Sequence, residues 1–170
     1  MKLIIINGPT GIGKSTVAKK IHDKLPLSFL LDIDAQRRYI SDYRKNRKES
    51  SELSFVVSRA IVDEYLKSGH SVIIDKVIFK TTTISDFIEL AKKHNAKVYE
   101  FILNLDKKTL INRAKERGYK DEGLLTSEKV EEFWETTQEY IKNRPDAVVI
   151  DTKNLNVEGV IKMIEGHISN

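Results

Sequence analysis

A glycine-rich segment near the amino end has the residue types and the spacing that bind phosphate groups. It reads G-P-T-G-I-G-K-S over residues 8–15, between an apolar run and an amphipathic stretch. Glycines let successive backbone N–H groups turn inward around a phosphate, and the positive N-terminal end of the following helix points at the same oxygens. Lys14 would bridge the β- and γ-phosphates of a nucleotide, and the Ser15 hydroxyl would take a coordination position on Mg²⁺. The residues predicted to bind the nucleotide are Gly8, Thr10, Gly11, Ile12, Gly13, Lys14, Ser15 and Thr16.

Carboxylates followed by an arginine stand at the end of a second apolar run, in the order Asp32, Asp34, Arg37. Phosphoryl transfer to a hydroxyl needs a carboxylate that orients the acceptor and takes its proton, and cations that neutralise the phosphoryl oxygens. Asp34 and Arg37 meet both needs from one turn of chain, so Asp34 is the favoured catalytic base. Asp32 and Asp75 stay open as alternatives for the base, and helix capping is the structural alternative for Asp34.

Two further segments contain residues suited to metal and phosphate binding. Asp75 closes a third apolar run, where a carboxylate would lie near Mg²⁺ or its waters. Arg113 and Arg117 are four residues apart, hence on one helix face, and a polar segment bounded by glycines follows. This pattern predicts a lid at about residues 117–125 that closes over the nucleotide phosphates and excludes water. The alternative is a helix end whose positive charge simply suits the helix dipole.

Positive charge is concentrated in one short stretch, although the net charge of the chain is only +4. The stretch is either a solvated surface or a binding surface for a phosphate-bearing acceptor such as a nucleic acid. Tyr39 and Tyr43 lie beside it, where they either stack on a base or pack against the domain. The charged residues, called here the basic segment, are Arg37, Arg38, Arg44, Lys45, Arg47 and Lys48.

Apolar runs alternate with segments of helical spacing along the whole chain, which is typical of a parallel sheet covered by helices on both faces. We expect one domain over residues 1–170, with ligands at the carboxyl ends of the strands. The predicted strands are Leu3–Ile6, Ser28–Leu31, Ser71–Ile74, Lys97–Leu103 and Ala147–Ile150. The predicted helices are Lys14–Leu25, Ser54–Lys67, Thr83–His94, Lys107–Arg117, Ser127–Asn143 and Asn156–Ile168. The core aromatic and apolar residues predicted on the long helix are Phe133, Trp134, Tyr140 and Ile141.

The composition excludes several other kinds of site. The chain has 170 residues and no cysteine, so disulfides, thiol catalysis and cysteine-bound zinc are excluded, and a reducing cytoplasm is the expected location. The first apolar run is too short for a signal peptide, and no stretch approaches the length of a membrane span. We therefore expect no membrane partner.

Together these motifs resemble the small P-loop kinases, in particular polynucleotide 5′-kinases and the related adenylylsulfate and chloramphenicol phosphotransferases. The resemblance rests on G-P-T-G-I-G-K-S-T at residues 8–16, D-A-Q-R at 34–37, Asp75, and R-A-K-E-R-G at 113–118. It implies a three-layer α/β fold with a five-stranded parallel sheet in the order 2-3-1-4-5. It also implies ATP and Mg²⁺ as cofactors, and Thr152 near the adenine ring.

The resemblance also assigns a role to each matching residue. Lys14 and Ser15 would hold phosphate, Asp34 would act as general base, and Arg37 would contact a phosphate of the acceptor. Arg113 and Arg117 would make the lid contacts to the nucleotide.

The leading functional hypothesis is an ATP-dependent kinase whose acceptor is a hydroxyl on a nucleic-acid 5′-end, a nucleoside or a small metabolite. A nucleoside monophosphate kinase is the first alternative, and because its acceptor is a phosphate, it needs no general base. A non-kinase ATPase module is the second. The chain contains no N-K-x-D motif, which argues against a guanine-specific switch protein.

Overall fold

The computed structural model describes residues 1–116 and 126–169 of the chain. Within these ranges, parallel strands form one five-stranded sheet with the order β2-β3-β1-β4-β5. This is the fold class and the strand order predicted above. The strands are β1 (Lys2–Asn7), β2 (Phe29–Asp32), β3 (Val72–Asp75), β4 (Lys97–Asn104) and β5 (Val148–Asp151).

Helices cover both faces of the sheet because the central strands are apolar on both sides. In β1, Ile4 and Ile6 belong to one buried cluster, whereas Leu3 and Ile5 belong to another. Side chains of a strand alternate between faces, so β1 is buried in two cores at once. The helices are α1 (Lys14–Lys24), α2 (Ile33–Arg37), α3 (Arg47–Lys67), α4 (Thr81–Lys93), α5 (Lys107–Glu116), α6 (Ser127–Lys142) and α7 (Val157–Ile168).

The long helix α6 contributes aromatic residues to the interior, as predicted. Tyr140 is buried, while Trp134 and Ile141 are partly buried and pack against the two cores. Phe133 stacks on Phe79 with the ring centroids 5.9 Å apart. Among the helices of the described residues, none is both long enough and apolar enough to cross a membrane.

The start of α3 differs from the sequence-based prediction. Helical spacing of apolar residues predicts a start at Ser54, but the helix begins at Arg47, and the short helix α2 precedes it. The first half of α3 buries hydroxyl side chains, Ser50, Ser54 and Ser58, where an amphipathic helix would bury apolar ones. The apolar periodicity is therefore missing from this part of the helix, although the helix itself is present.

The carboxyl ends of neighbouring strands bring separate parts of the sequence together. Asp32 and Asp75 are register partners on β2 and β3, and Asp75 also pairs with Ile6 on β1. The glycine-rich segment leaves the sheet at the next residue of β1, Asn7. This edge therefore holds every carboxylate that the sequence identified as a candidate base.

Candidate active site

The glycine-rich segment forms a tight loop between β1 and α1. Gly8 passes so close to β4 that a Cβ atom there would lie 2.5 Å from the Leu103 carbonyl oxygen, so no larger residue fits. Gly13 caps α1 with a φ of 105°, a left-handed conformation that favours glycine. The backbone of the loop is thus shaped by its glycines, and α1 begins immediately behind it.

Lys14 is buried under this loop. Its Nζ donates a hydrogen bond of 3.0 Å to the Pro9 carbonyl oxygen. Burial lowers the pKa of Lys14 to about 8, while the carboxylates of Asp75 and Asp34 act in the opposite direction. The ammonium group is therefore held next to the loop, in a low-dielectric setting where its attraction to a phosphate is strong.

A cavity of about 290 Å³ opens beside the loop. Of the residues predicted to bind nucleotide, Gly8 and Ile12 do not line it, because Gly8 packs on β4 and the Ile12 side chain lies in the core. Lys76 and Val77, which the sequence reasoning missed, do line it. Both residues directly follow Asp75 at the end of β3, and this position in the sequence could have identified them as site residues. The lining residues are Thr10, Gly11, Gly13, Lys14, Ser15, Thr16, Asp32, Asp34, Arg38, Asp75, Lys76 and Val77.

Asp75 lines the cavity together with Ser15. Burial raises the pKa of Asp75, and the neighbouring carboxylates of Asp32 and Asp34 raise it further. The nearby Ser15 hydroxyl and the charge of Lys14 oppose this rise. Crowded carboxylates of this kind are stabilised by a cation.

The donor set suits Mg²⁺ in the way that phosphate-binding enzymes hold it. In the part of the chain that the structure describes, no group of three acidic or histidine side chains could bind a metal ion alone. Mg²⁺ usually takes only one or two protein ligands and completes its octahedron with phosphate oxygens and water. Ser15 and Asp75 fit that requirement because both offer oxygen ligands next to the phosphate loop.

The two aspartates at the end of β2 have different surroundings. The Asp32 carboxylate accepts a hydrogen bond of 2.9 Å from the Ala35 N–H and so caps α2. Asp34 lies in the first turn of that helix and forms an ion pair with Lys76 through its Oδ1 atom. Capping, the structural alternative considered for Asp34, thus falls to Asp32, and both carboxylates line the cavity.

Arg37, the last residue of α2, and Arg38, which follows it, also differ. Arg37 donates from Nε to the Ser50 hydroxyl at 2.9 Å and from Nη2 to the Tyr43 carbonyl oxygen at 3.3 Å, and its guanidinium lies 5.7 Å from the centre of the Tyr43 ring. These contacts join α2 to α3. Arg38, the next residue, is the one that lines the cavity.

Of the remaining predicted residues, Arg113 and Thr152 do not line the cavity, and Arg117 lies outside the described part. Arg113 is in the last turn of α5, and the adjacent Ala114 packs beside the loop, where a Cβ atom on Gly11 would be 4.0 Å from that of Ala114. Thr152 is buried, and its hydroxyl donates to the Asn104 carbonyl oxygen at 3.0 Å. Arg117 and the predicted lid at 117–125 lie outside the described residues.

A family model described as an AAA domain matches residues 3–143, most of the chain. The chain is 24% identical over 166 residues to the L-seryl-tRNA(Sec) kinase of Methanococcus maripaludis, covering 95% of this chain and 64% of that protein. It is 27% identical over 141 residues to the guanylate kinase of Onion yellows phytoplasma, covering 72% of this chain and 66% of that protein. The chain thus spans slightly less than two thirds of the length of these two relatives.

The fold is also found among solved kinase structures. A gluconokinase from Sinorhizobium meliloti 1021 superposes with a TM-score of 0.70 at 16% identity, over 99% of this chain and 91% of that one. The fold and the phosphate loop agree with the resemblance drawn from the sequence. The chain therefore belongs to the AAA domain family, and it shares its fold with small P-loop kinases.

Proposed function

We propose that the chain is an ATP-dependent kinase that transfers the γ-phosphate to a hydroxyl group of its acceptor. The observation that carries the proposal is the shared cavity, in which the phosphate loop faces Asp34 and Arg38. A nucleotide held by the loop would present its terminal phosphate toward a carboxylate and a guanidinium. Transfer to a hydroxyl requires these two groups at the acceptor.

On the nucleotide side, Lys14 binds the β- and γ-phosphates of ATP, and the N–H groups of the loop surround them. The residues that would hold Mg²⁺ are Ser15, directly, and Asp75, directly or through water. When bound, Mg²⁺ neutralises charge on the β- and γ-phosphate oxygens. Asp75 is suited to this role because its carboxylate lines the same cavity as Lys14 and Ser15.

On the acceptor side, Asp34 orients the attacking hydroxyl and accepts its proton. Lys76 contacts only the Oδ1 atom of Asp34 in the described hydrogen bonds, so Oδ2 can accept a hydrogen bond from the hydroxyl. The ion pair bridges α2 and the segment after β3, which keeps the carboxylate facing the cavity. Because its side chain is 58% exposed, Asp34 is reachable by an acceptor from solution.

Arginines supply the remaining positive charge in this proposal. Arg37 or Arg38 contacts an anionic group of the acceptor, and the position of Arg38 in the cavity wall favours Arg38. Arg113 reaches the nucleotide phosphates from α5, which packs against the loop. Arg117 is proposed to contact the nucleotide from the lid, and Thr152 is proposed to lie near the adenine ring.

A nucleic-acid end is the first candidate for the acceptor. One relative is named a seryl-tRNA kinase, and the basic segment continues from the cavity wall at Arg38 to the first turn of α3. Arg44, Lys45, Arg47 and Lys48 are all exposed along it. A chain of phosphates leaving the cavity would meet these four side chains.

A nucleoside monophosphate is the second candidate, because another relative is named a guanylate kinase. In that case the acceptor is already an anion, and Asp34 would be dispensable. A regulatory ATPase module remains the non-kinase alternative, for which no acceptor exists.

The direct test is a transfer assay with γ-labelled ATP and Mg²⁺ against oligonucleotides, nucleosides, nucleoside monophosphates and small hydroxyl-bearing metabolites and antibiotics. We expect label on a hydroxyl of one acceptor class, and loss of transfer when EDTA removes Mg²⁺. Label on a phosphate would support the monophosphate kinase instead. Release of inorganic phosphate at the same rate with and without every acceptor would contradict the kinase proposal.

A further inference from the structure

A chain of buried polar groups lies behind the phosphate loop and is not explained by packing. It begins at Asn7, the last residue of β1, which is 1% exposed. It continues through Tyr140 on α6 and Glu100 on β4, which are 3% and 6% exposed. Burial of so many polar groups is costly unless each one is hydrogen-bonded, so a chain of this kind has to be complete to be tolerated.

The Asn7 amide makes three buried hydrogen bonds. Its Oδ1 atom accepts from the Gly8 N–H at 2.8 Å and from the Ile78 N–H at 3.1 Å. Its Nδ2 atom donates to the Ile78 carbonyl oxygen at 2.7 Å, and the Tyr140 hydroxyl lies close enough to the amide for Asn7 to lower the pKa of Tyr140 slightly. One side chain therefore binds the first residue of the phosphate loop and both backbone groups of Ile78, in the segment between β3 and α4.

The far end of the chain is an ion pair. The Tyr140 hydroxyl donates to Glu100 Oε1 at 2.6 Å, and Arg144 donates to Glu100 Oε2 from Nε at 3.0 Å and from Nη2 at 2.6 Å. Burial, together with the hydrogen bond to Glu100, raises the pKa of Tyr140, so its hydroxyl stays protonated and keeps donating to Glu100. The Tyr140 ring packs edge-on against Phe79, the neighbour of Ile78, with the ring centroids 6.4 Å apart, so the tyrosine lies beside the segment that Asn7 binds.

This chain of contacts aligns the two segments that meet in the cavity. The segment held through Ile78 begins with Asp75 and Lys76, which face Ser15 and Asp34. The loop held through Gly8 ends in Lys14 and Ser15. Asn7 is the side chain that binds both segments, so its position sets the distance between the loop and the residues opposite it.

We infer that Asn7 is a positioning residue for phosphoryl transfer, held in its orientation by Tyr140, Glu100 and Arg144. The inference rests on the proposed function, since the geometry that it protects is the one used for transfer. Asn7 and Tyr140 touch no substrate. They act by keeping Asp75 and Lys76 in place relative to the loop.

Tyr140→Phe tests the inference most cleanly, because it removes one hydroxyl and keeps the ring in the core. We expect kcat to fall by about tenfold, since displacements of about 1 Å in an active site can cost up to 10²-fold in rate. The KM for ATP should stay close to that of the wild type, because the glycines shape the loop backbone without help from Tyr140. The Mg²⁺ concentration for half-maximal rate should rise, because Asp75 is the displaced group.

Tyr65→Phe is the matched control. The Tyr65 hydroxyl likewise donates one hydrogen bond, to the Leu27 carbonyl oxygen at 2.9 Å, but Leu27 precedes β2 and so lies at the end of that strand away from the cavity. This variant should retain the kcat of the wild type. Asn7→Asp, which loses the two amide donors, should reduce kcat more than Tyr140→Phe does. If Asn7→Asp fails to fold, the comparison of Tyr140→Phe with Tyr65→Phe tests the inference by itself.

Binding gives a readout that does not depend on transfer. The affinity for ATP should be measured by calorimetry with Mg²⁺ and with EDTA, for the wild type, Tyr140→Phe and Tyr65→Phe. We expect Tyr140→Phe to bind ATP normally in EDTA and to lose part of the gain that Mg²⁺ provides. If the wild type transfers phosphate to no acceptor, the proposed function fails, and this measurement still decides the inference.

Two results would overturn the inference. One is that Tyr140→Phe matches Tyr65→Phe in kcat and in the Mg²⁺ dependence of ATP binding. The other is that its kcat, its affinity for ATP in EDTA and its melting temperature all decline together, which is the behaviour of a residue that only stabilises the fold.

Discussion

The two walls of the cavity are built in different ways. The phosphate wall consists of consecutive residues, with glycines in left-handed conformations and a lysine that is 8% exposed. The opposite wall, which we propose faces the acceptor and call the acceptor wall, includes Asp34 and Arg38, and Asp34 is paired with Lys76 after β3. The first wall is therefore a local structure, whereas the second depends on contacts between elements. Such contacts can change without disturbing the sheet, so one fold can carry sites of different specificity.

The largest expected effect is on the acceptor wall. Asp34→Asn keeps the shape of the side chain but removes its ability to accept a proton, so kcat should fall by about 10²–10⁴-fold while ATP binding is preserved. Steady-state kinetics and calorimetry measure the two quantities. Asp32→Asn is the comparison, because asparagine caps a helix as well as aspartate does and should leave kcat much less affected. If Asp32→Asn lowered kcat more than Asp34→Asn did, Asp32 would be the base.

On the phosphate wall, Lys14→Ala should abolish most of the transfer while leaving the fold intact. The expected loss in transfer rate is about 10²–10³-fold. This is typical when one preorganised group that stabilises the negative charge of the transition state is removed. Circular dichroism and melting temperature would report the fold. Near-normal turnover in this variant would remove the phosphate loop from the mechanism.

Arg37 and Arg38 give the next comparison. Arg38→Ala should raise the KM for an anionic acceptor by about tenfold, as expected for the loss of one charged hydrogen bond, with no change in melting temperature. Arg37→Ala should lower the melting temperature, because its contacts to Ser50 and Tyr43 are lost. If Arg37→Ala instead raised the KM for the acceptor at unchanged stability, Arg37 would be the acceptor contact.

The pKa of Lys14 predicts how ATP binding depends on pH. Burial lowers this pKa to about 8 in the free protein, and bound phosphates would raise it, since they favour the charged form. The affinity for ATP should therefore have its highest value below pH 8. As the pH rises above 8 the affinity should decline, by at most about tenfold per pH unit. Calorimetry in two buffers of different ionisation enthalpy should detect proton uptake at pH 9. Lys14→Met should bind ATP weakly and without that pH dependence.

The smallest effect concerns the exposed part of the basic segment. If the acceptor is a nucleic acid, binding of a labelled oligonucleotide should weaken with salt, with a log–log slope that grows by about 0.7 for each phosphate contacted on a single strand. The slope should become shallower when Arg44, Lys45, Arg47 and Lys48 are changed to alanine.

A control variant of equal charge separates specific contacts from net charge. It changes four exposed lysines outside the basic segment to alanine. These are Lys19, Lys92, Lys129 and Lys162. Equal salt slopes for the two quadruple variants, or no oligonucleotide binding at low salt, would contradict a nucleic-acid acceptor. The acceptor would then be a nucleoside or a small metabolite.

Much of the sheet could be predicted because its strands carry their own signal. The runs that end in Ile6 and Ile74 are buried on both faces, and continuous apolar runs of that length between helical segments indicate a parallel sheet. The start of α3 could not be predicted in the same way. Its inner face carries serines, and only the structure shows that one of them, Ser50, binds Arg37 of α2.

Tyr140 shows the same limit in the site. Helical spacing identified it as a core residue, and it is buried, but its hydroxyl binds Glu100, which is 40 residues away in the sequence. Glu100 itself interrupts the apolar pattern of β4, and a buried carboxylate usually has a partner that the sequence does not name. Asn7 is comparable, a polar residue that ends an apolar strand.

The sequence alone determined the phosphate loop, because the interactions that shape it run between residues a few positions apart. It also determined the layered parallel sheet, because burial on both faces of a strand leaves a continuous apolar run. Only the tertiary structure decided that Asp32 caps α2 while Asp34 faces the cavity, that Arg38 and not Arg37 lines it, and that Asn7 binds two segments at once. These outcomes depend on how the ends of different strands are aligned, and that alignment arises only when the sheet and its two cores have formed.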